Sequence, residues 1–312
     1  MDYIAIGIGL ILLIKGGDWL LDAAVALSLR LKIPKIVIGM TVVSFATSAP
    51  ELIVCVKSAL KGYPDLAFGN VVGSNIANLA LVLGTVLLIH PIEVTKSFYK
   101  TDWPIMILAT LVFFFFIKTD GFLSQTEGGT LLVLLFVFLG YLLFFQKKAI
   151  VEEQIEVEEM ELSFQKLILL LFSGGFCLWL GSEVLVEAAV SVAKSLGVSE
   201  RIISISVVSV GTSIPELSAS IIAIINKERA ISIGNLIGSN IFNILAVMGT
   251  TALIYPIKLI DQAILEVDLF WMLGVSLLIL PLVFFPKRMR LGRFEGLILL
   301  VVYGAFLVQI FS

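Results

Sequence analysis

Residues 44–51 read SFATSAPE and residues 209–216 read SVGTSIPE, so a carboxylate, hydroxyls and a proline recur in the same order 165 positions apart. A second pair, GNVVGSNIAN at 69–78 and GNLIGSNIFN at 234–243, keeps the same spacing of 165. Around these motifs Asp18 and Asp22 answer to Glu183 and Glu187, Thr41 to Ser206, and Pro91 to Pro256, with no gap between the copies. A segment of this chain has been duplicated.

The setting of the motifs fixes the class. Of the 312 residues 59% are hydrophobic and only 14% charged, outside the range of soluble globular domains. Apolar runs near or above the length of a membrane span recur throughout, so the chain reads as an all-α integral membrane protein without an appended soluble module. Residues 4–14 lack a preceding basic residue and a following small-residue cleavage site, and read as the first helix rather than a signal peptide. The two cysteines, Cys55 and Cys177, fall opposite Ser220 and Leu12 in the other copy, so neither a disulfide nor a metal framework is implied. The single His90, next to Pro91, reads as interfacial. A net charge of −3 points to no polyanionic partner, nucleic acid included.

The hydropathy pattern predicts ten spanning helices, at about 3–29, 36–60, 67–89, 103–117, 128–146, 165–194, 201–226, 232–255, 264–285 and 293–311. Residues 1–146 form the first five-helix repeat, 147–164 an acidic cytoplasmic linker, and 165–312 the second repeat. An odd number of helices per repeat places the second copy upside down, giving two inverted repeats about a pseudo-twofold axis in the membrane plane. With the N-terminus outside, the inside loops collect 14 of the 21 basic residues, which places both termini outside a cell (plasma) membrane. The six glutamates between Glu152 and Glu161 read as a solvated connector. Helices one and six are the longest, exceed a ~30 Å hydrocarbon core, and are expected to tilt.

The motifs carry the chemistry. An ionised carboxylate near the bilayer centre costs several kcal/mol unless compensated, and Glu51 and Glu216 have no Lys or Arg in the middle of their own helices. Two such carboxylates meeting at a repeat interface suit a hard divalent cation, and Ca2+ takes roughly six to eight oxygens. Pro50 and Pro215 lack the N–H that would bond the carbonyls of Ala46 and Gly211, so helices two and seven are expected to break at the motifs and offer free carbonyls. Thr47, Ser48 and Glu51 share one side of a helical turn, and Ser74 with Asn78, like Ser239 with Asn243, is an i, i+4 pair of neutral oxygens. Gly69, Gly73, Gly234 and Gly238 read as close-packing positions.

At these residues the chain resembles the calcium/cation antiporter superfamily, in particular the sodium/calcium exchangers of prokaryotic type, whose repeats look like [G/A]TSxPE followed by GNxxGSNxxN. The resemblance covers essentially the whole chain, and both motifs occur twice. It implies that helices two, three, seven and eight form the ion-binding core, with helices one and six as the moving gate. Carried over by position, it makes Glu51 and Glu216 shared Ca2+ and Na+ ligands, assisted by Thr47 and Thr212. Ser48, Ser213, Ser74 and Ser239, with main-chain carbonyls at Ser44 and Ser209, would complete the Na+ sites. The chain departs from the pattern at Ala46, where glycine is usual, and at Asn243, where some relatives, including K+ transporters, carry Asp.

The expected activity is therefore secondary antiport of Na+ against Ca2+ by alternating access. It needs no enzyme chemistry and no cofactor, its partners being the two ions and membrane lipid, with a single chain as a sufficient unit. A proton/calcium antiporter would use the same glutamates as titrating groups, and a cation channel would use them as a filter. Channel filters are usually rings contributed by several subunits, whereas these motifs are duplicated within one chain. An intramembrane hydrolase finds no Ser/His or Asp/Asp constellation at membrane depth.

Overall fold

The computed structural model describes residues 2–145, 162–195 and 211–311. Among these, nine helices are long and apolar enough to cross a membrane: α1 Asp2–Leu31, α2 Lys35–Leu60, α3 Pro64–Ile89, α4 Phe98–Asp120, α5 Gln125–Phe144, α6 Phe164–Val192, α8 Arg229–Ile254, α9 Ile264–Phe284 and α10 Arg293–Ile310. A shorter apolar helix, α7 Ile214–Ile225, lies where the seventh span is expected. The first part of that span, Ser209, and nearly all of the acidic linker lie outside the described residues.

Local chemistry explains where these helices stop and start. Pro64 begins α3, where its missing N–H is no loss. Gly121, at φ 68°, closes α4 in the left-handed conformation and donates its N–H to Ile117. Glu127 accepts from the Ser124 N–H at 2.8 Å, and Glu295 accepts from the Gly292 N–H at 2.7 Å, capping α5 and α10 in the same manner. Burial then sorts the spans: 72% of α3 and 83% of α8 is buried along the apolar window, against 28% for α5, α6 and α10. The two helices carrying the GNxxGSNxxN motifs are interior ones.

Two departures from α-geometry shape the motif region. Single π-helical turns occur at Gly39–Val43, Ala77–Val82, Phe98–Asp102, Asn243–Met248 and Ile264–Asp268. Each inserts an extra residue into a turn and re-aims the side chains beyond it. Secondly, α2 was expected to break at SFATSAPE, but helix continues from Ser44 to Leu60 with Pro50 inside it, and the irregular turn is the π segment just before. In a membrane helix, neighbouring groups and local π adjustments can accommodate the proline without interrupting the rod.

The chain forms two compact units, residues 1–47 with 139–235, and 48–138 with 236–312. Each draws on both sequence copies rather than on one. In the first unit α1 and α6 cross at two glycine pairs, Gly9 with Gly181 and Gly16 with Gly174. A Cβ on Gly16 would meet the Leu178 nitrogen at 2.8 Å and the Gly174 carbonyl at 2.9 Å, so the backbones themselves are in contact. Arg30, ending α1, lies 5.1 Å from the Phe164 ring that begins α6. The second unit holds two short antiparallel ribbons. In one, Ile92–Glu93 (β1) pairs with Arg290–Leu291 (β4); in the other, Phe122–Leu123 (β2) pairs with Ile257–Lys258 (β3). Close crossings recur too: Gly84 of α3 against Gly296 of α10, and Gly249 of α8 against Gly128 of α5.

Candidate functional site

In the first unit the side chain of Asn235, on α8, organises the motif residues. Its Oδ1 accepts from the Thr47 hydroxyl at 3.2 Å, and its Nδ2 donates to Ser220 Oγ at 3.1 Å and to the Glu216 carbonyl at 3.5 Å. The Asn235 carbonyl lies 3.0 Å from the Ser44 hydroxyl, which also reaches the Gly39 carbonyl at 2.8 Å. One asparagine thereby ties SFATSAPE of the first copy to SVGTSIPE of the second. α2 and α8 can approach because Gly39 faces Gly234: a Cβ on Gly39 would come to 2.6 Å from the Ile231 carbonyl. Gly234 thus has the packing role expected of it, whereas Gly69 and Gly73 have open space where a Cβ would stand.

Helix α7 starts on the motif. Thr212 and Ser213 form a turn, Ser213 is the N-cap residue, and Pro215 and Glu216 occupy the first turn. Ser213 is buried and its Oγ has no hydrogen-bond partner among the described residues, while Thr212 is half-buried. The carbonyl of Gly211, expected to be freed by Pro215, is taken: the buried hydroxyl of Ser182 on α6 donates to it at 2.8 Å. A hydroxyl from a neighbouring helix has replaced the missing backbone donor.

In the second unit the motif residues Ser48 and Glu51 of α2, Ser74 and Asn78 of α3, and Ser239 and Asn243 of α8 are all buried. Asn78 lies within one π turn and Asn243 opens another. Asn243 Nδ2 donates to Asn75 Oδ1 at 3.2 Å, and Asn75 Nδ2 donates to the Asn240 carbonyl at 3.3 Å, stitching α3 to α8. The Oδ1 atoms of Asn78, Asn240 and Asn243 have no hydrogen-bond partner among the described residues. Leaving such an atom both buried and without a partner costs about 1–3 kcal/mol, so these oxygens are suited to accept from or coordinate a polar or charged group.

Both glutamates, Glu51 and Glu216, have 0% exposure. Among the described residues no three His, Cys, Asp or Glu come together, and within each unit the buried motif residues present amide, hydroxyl and carbonyl oxygens beside a single glutamate. That donor set, oxygen only and largely neutral, suits hard cations such as Ca2+ or Na+ and is poor for a transition metal. Asn75, Asn235 and Asn240 escaped the sequence reading although they sit inside the duplicated GNxxGSNxxN stretch. Their recurrence 165 residues apart was the signal available.

The sequence profile described as sodium/calcium exchanger protein matches residues 2–144 and 166–311. The inner membrane protein YrbG of Escherichia coli (strain K12) is 36% identical, over 96% of this chain and 93% of its own length. The sodium/calcium exchanger MaX1 of Methanosarcina acetivorans is 29% identical, over 100% of this chain and 99% of its own. Among solved structures, the sodium-calcium exchanger NCX_Mj soaked with zero Na+ and Ca2+ superposes with a TM-score of 0.83 at 27% identity, covering 99% of this chain and 100% of that one. The family profile spans nearly the whole chain and the membrane-helix architecture matches that of NCX_Mj: the chain belongs to the sodium/calcium exchanger protein family.

Proposed function

We propose that this protein is a secondary antiporter in which Na+ entering the cell drives Ca2+ out, both ions using one set of buried oxygens exposed alternately to each side. The observation that supports the reading is that buried oxygens of the duplicated motifs have no hydrogen-bond partner among the described residues: Asn78 Oδ1 and Asn243 Oδ1 in the second unit, and Ser213 Oγ in the first. With the fully buried Glu51 and Glu216 they offer few charges and many neutral donors. The names of MaX1 and NCX_Mj as sodium/calcium exchangers support the same choice of ions.

In this reading Glu51 and Glu216 bind both ions, and Thr47 and Thr212 assist. Ser48, Ser74, Ser213 and Ser239, Asn78 and Asn243, and the carbonyls of Ser44 and Ser209 serve Na+ once Ca2+ has left. Ten helices in two inverted five-helix repeats, 1–146 and 165–312, joined by a cytoplasmic linker, supply the symmetry that alternating access requires. Both termini lie outside the plasma membrane, and one chain suffices for transport. The glycine-tight pair α1 and α6 moves as a unit to open one side or the other. A proton would need only the two carboxylates, so the surrounding amides and hydroxyls favour Na+ over H+ as the coupling ion.

The test is Ca2+ flux into vesicles of known orientation, first under an imposed Na+ gradient and then under an imposed pH gradient without Na+. Flux with the first alone is expected. Uphill Ca2+ movement driven by the proton gradient in the complete absence of Na+ would overturn the assignment of the coupling ion.

A further inference from the structure

In the first unit the side-chain amide of Asn235 has one orientation that satisfies its neighbours. The Glu216 carbonyl can only accept, so at 3.5 Å from the amide it calls for Nδ2 on its side, next to Ser220 Oγ at 3.1 Å. Oδ1 is thereby turned to Thr47. The Thr47 hydroxyl has one hydrogen, and two acceptors share it: Asn235 Oδ1 at 3.2 Å and the Ser44 carbonyl, in the same helix, at 3.3 Å. Asn235 draws that hydrogen off the Ser44 carbonyl. Once the hydrogen is committed, Thr47 Oγ1 meets any further group only as an acceptor, the polarity that a cation requires.

The anchor beneath Asn235 recurs. At 165 residues earlier, Asn70 on α3 donates its Nδ2 to Cys55 Sγ on α2 at 3.3 Å, and these two are the counterparts of Asn235 and Ser220. A thiol accepts more weakly than a hydroxyl, yet the bond runs in the same direction. In both copies the acceptor stands four residues after the motif glutamate, Cys55 after Glu51 and Ser220 after Glu216, and holds the amide of an asparagine on the next helix.

We infer that Asn235 is a positioning residue, held by Ser220, that presents Thr47 Oγ1 and the Ser44 carbonyl to Na+ without touching the ion. The inference rests on the proposed antiport site, to which both oxygens are assigned. Ca2+ draws chiefly on carboxylates, whereas Na+ depends more on neutral oxygens, so the affinity for Na+ is what Asn235 governs. Without Asn235 the Thr47 hydroxyl falls back on the Ser44 carbonyl and occupies it.

The test is exchange by the full chain in proteoliposomes, with Na+ and Ca2+ varied separately. N235A should raise the Na+ concentration for half-maximal exchange about three- to tenfold, the range of one hydrogen bond, and the Ca2+ concentration much less. S220A should shift Na+ in the same direction, while S220C, which supplies the acceptor used in the first copy, should return it towards the parental value; this pair needs no change at the ion site. In a T47V background N235A should add no further shift, because the hydroxyl through which it acts is gone. The unfolding midpoint of the purified protein without either ion is the control. An asparagine that only holds helices together would lower it in N235A and leave the Na+ dependence alone, which overturns the proposal. So would equal shifts for both ions, or an N235A effect that persists in full beside T47V. Should the parent move Ca2+ without regard to Na+, the coupling ion is wrong; Asn235 keeps its role if Na+ still raises the parent's unfolding midpoint and N235A weakens that rise, and loses it otherwise.

Discussion

The hydroxyl of Ser182 donates to the carbonyl of Gly211 at 2.8 Å, so α6 holds the residue just before the Thr212–Ser213 turn. The bond links a helix proposed to move with a motif proposed to bind ions. Ser182→Ala leaves a buried carbonyl without its donor and should cost about 1–2 kcal/mol of stability, with Ser182→Thr retaining most of it. Thermal unfolding of both variants in detergent checks this, and a midpoint for Ser182→Ala equal to that of the parent would show the bond to be dispensable.

Glu51→Gln and Glu216→Gln should each abolish Ca2+ transport while leaving the protein folded. The readout beyond flux is stabilisation by the ion itself. A ligand present at about 100 times its dissociation constant adds roughly 2.7 kcal/mol to a fold, and that increment should vanish in both variants. Monodisperse elution with no Ca2+-dependent shift is the expected pair of results.

Asn75→Ala removes the acceptor for the Asn243 amide, the hydrogen bond that fixes Asn243 from α3, and with it the donor to the Asn240 carbonyl. Transport should persist with a raised Na+ requirement, because Asn243 stays present but loses its orientation. Asn243→Ala should then add little further, and a double-mutant cycle on the Na+ concentration for half-maximal exchange measures that coupling.

Ser74→Ala and Ser239→Ala take one neutral oxygen from each copy. Since Ca2+ draws chiefly on the two carboxylates, Na+ dependence should weaken more than Ca2+ binding. Calorimetric Ca2+ titration beside Na+-driven flux separates the two, and an equal loss in both would place these hydroxyls on the Ca2+ as well.

Gly16→Leu inserts a side chain where a Cβ already meets backbone atoms of α6 at 2.8 and 2.9 Å. The crossing has to open, at a cost of about 1–3 kcal/mol for overpacking. Gly129→Leu, placed where a Cβ meets nothing within 4 Å, is the control and should be silent in thermal unfolding.

Much of this was legible from residues alone because it rests on composition and repetition. Hydropathy located the nine spans seen among the described residues, and the recurrence of Thr47, Glu51, Ser74 and Asn78 at 212, 216, 239 and 243 picked out polar residues that are buried, Thr212 alone being half-buried. The rest depends on which groups meet, which no local pattern encodes. Pro50 announces a missing donor, but not that the helix continues past it. Pro215 likewise predicts a freed Gly211 carbonyl, yet Ser182 lies 29 residues earlier and on another helix. The π turns at Ala77–Val82 and Asn243–Met248 have no composition of their own, so the aim of Asn78 and Asn243 had to be seen in three dimensions.

The small ribbons of the second unit have a history in them. β1 and β3 occupy equivalent places in the two copies, as do β2 and β4, yet β1 pairs with β4 and β2 with β3. Neither copy pairs its own two strands; each lends one to the other and borrows one back. This is the reciprocal contact pattern of a twofold dimer, in which the same two surface patches meet twice. A lone ancestor of the duplicated segment would have carried both strand edges without partners, and a second copy of itself would have supplied both at once. Fusion into one chain then freed the halves to diverge, as Cys55 and Ser220 have done.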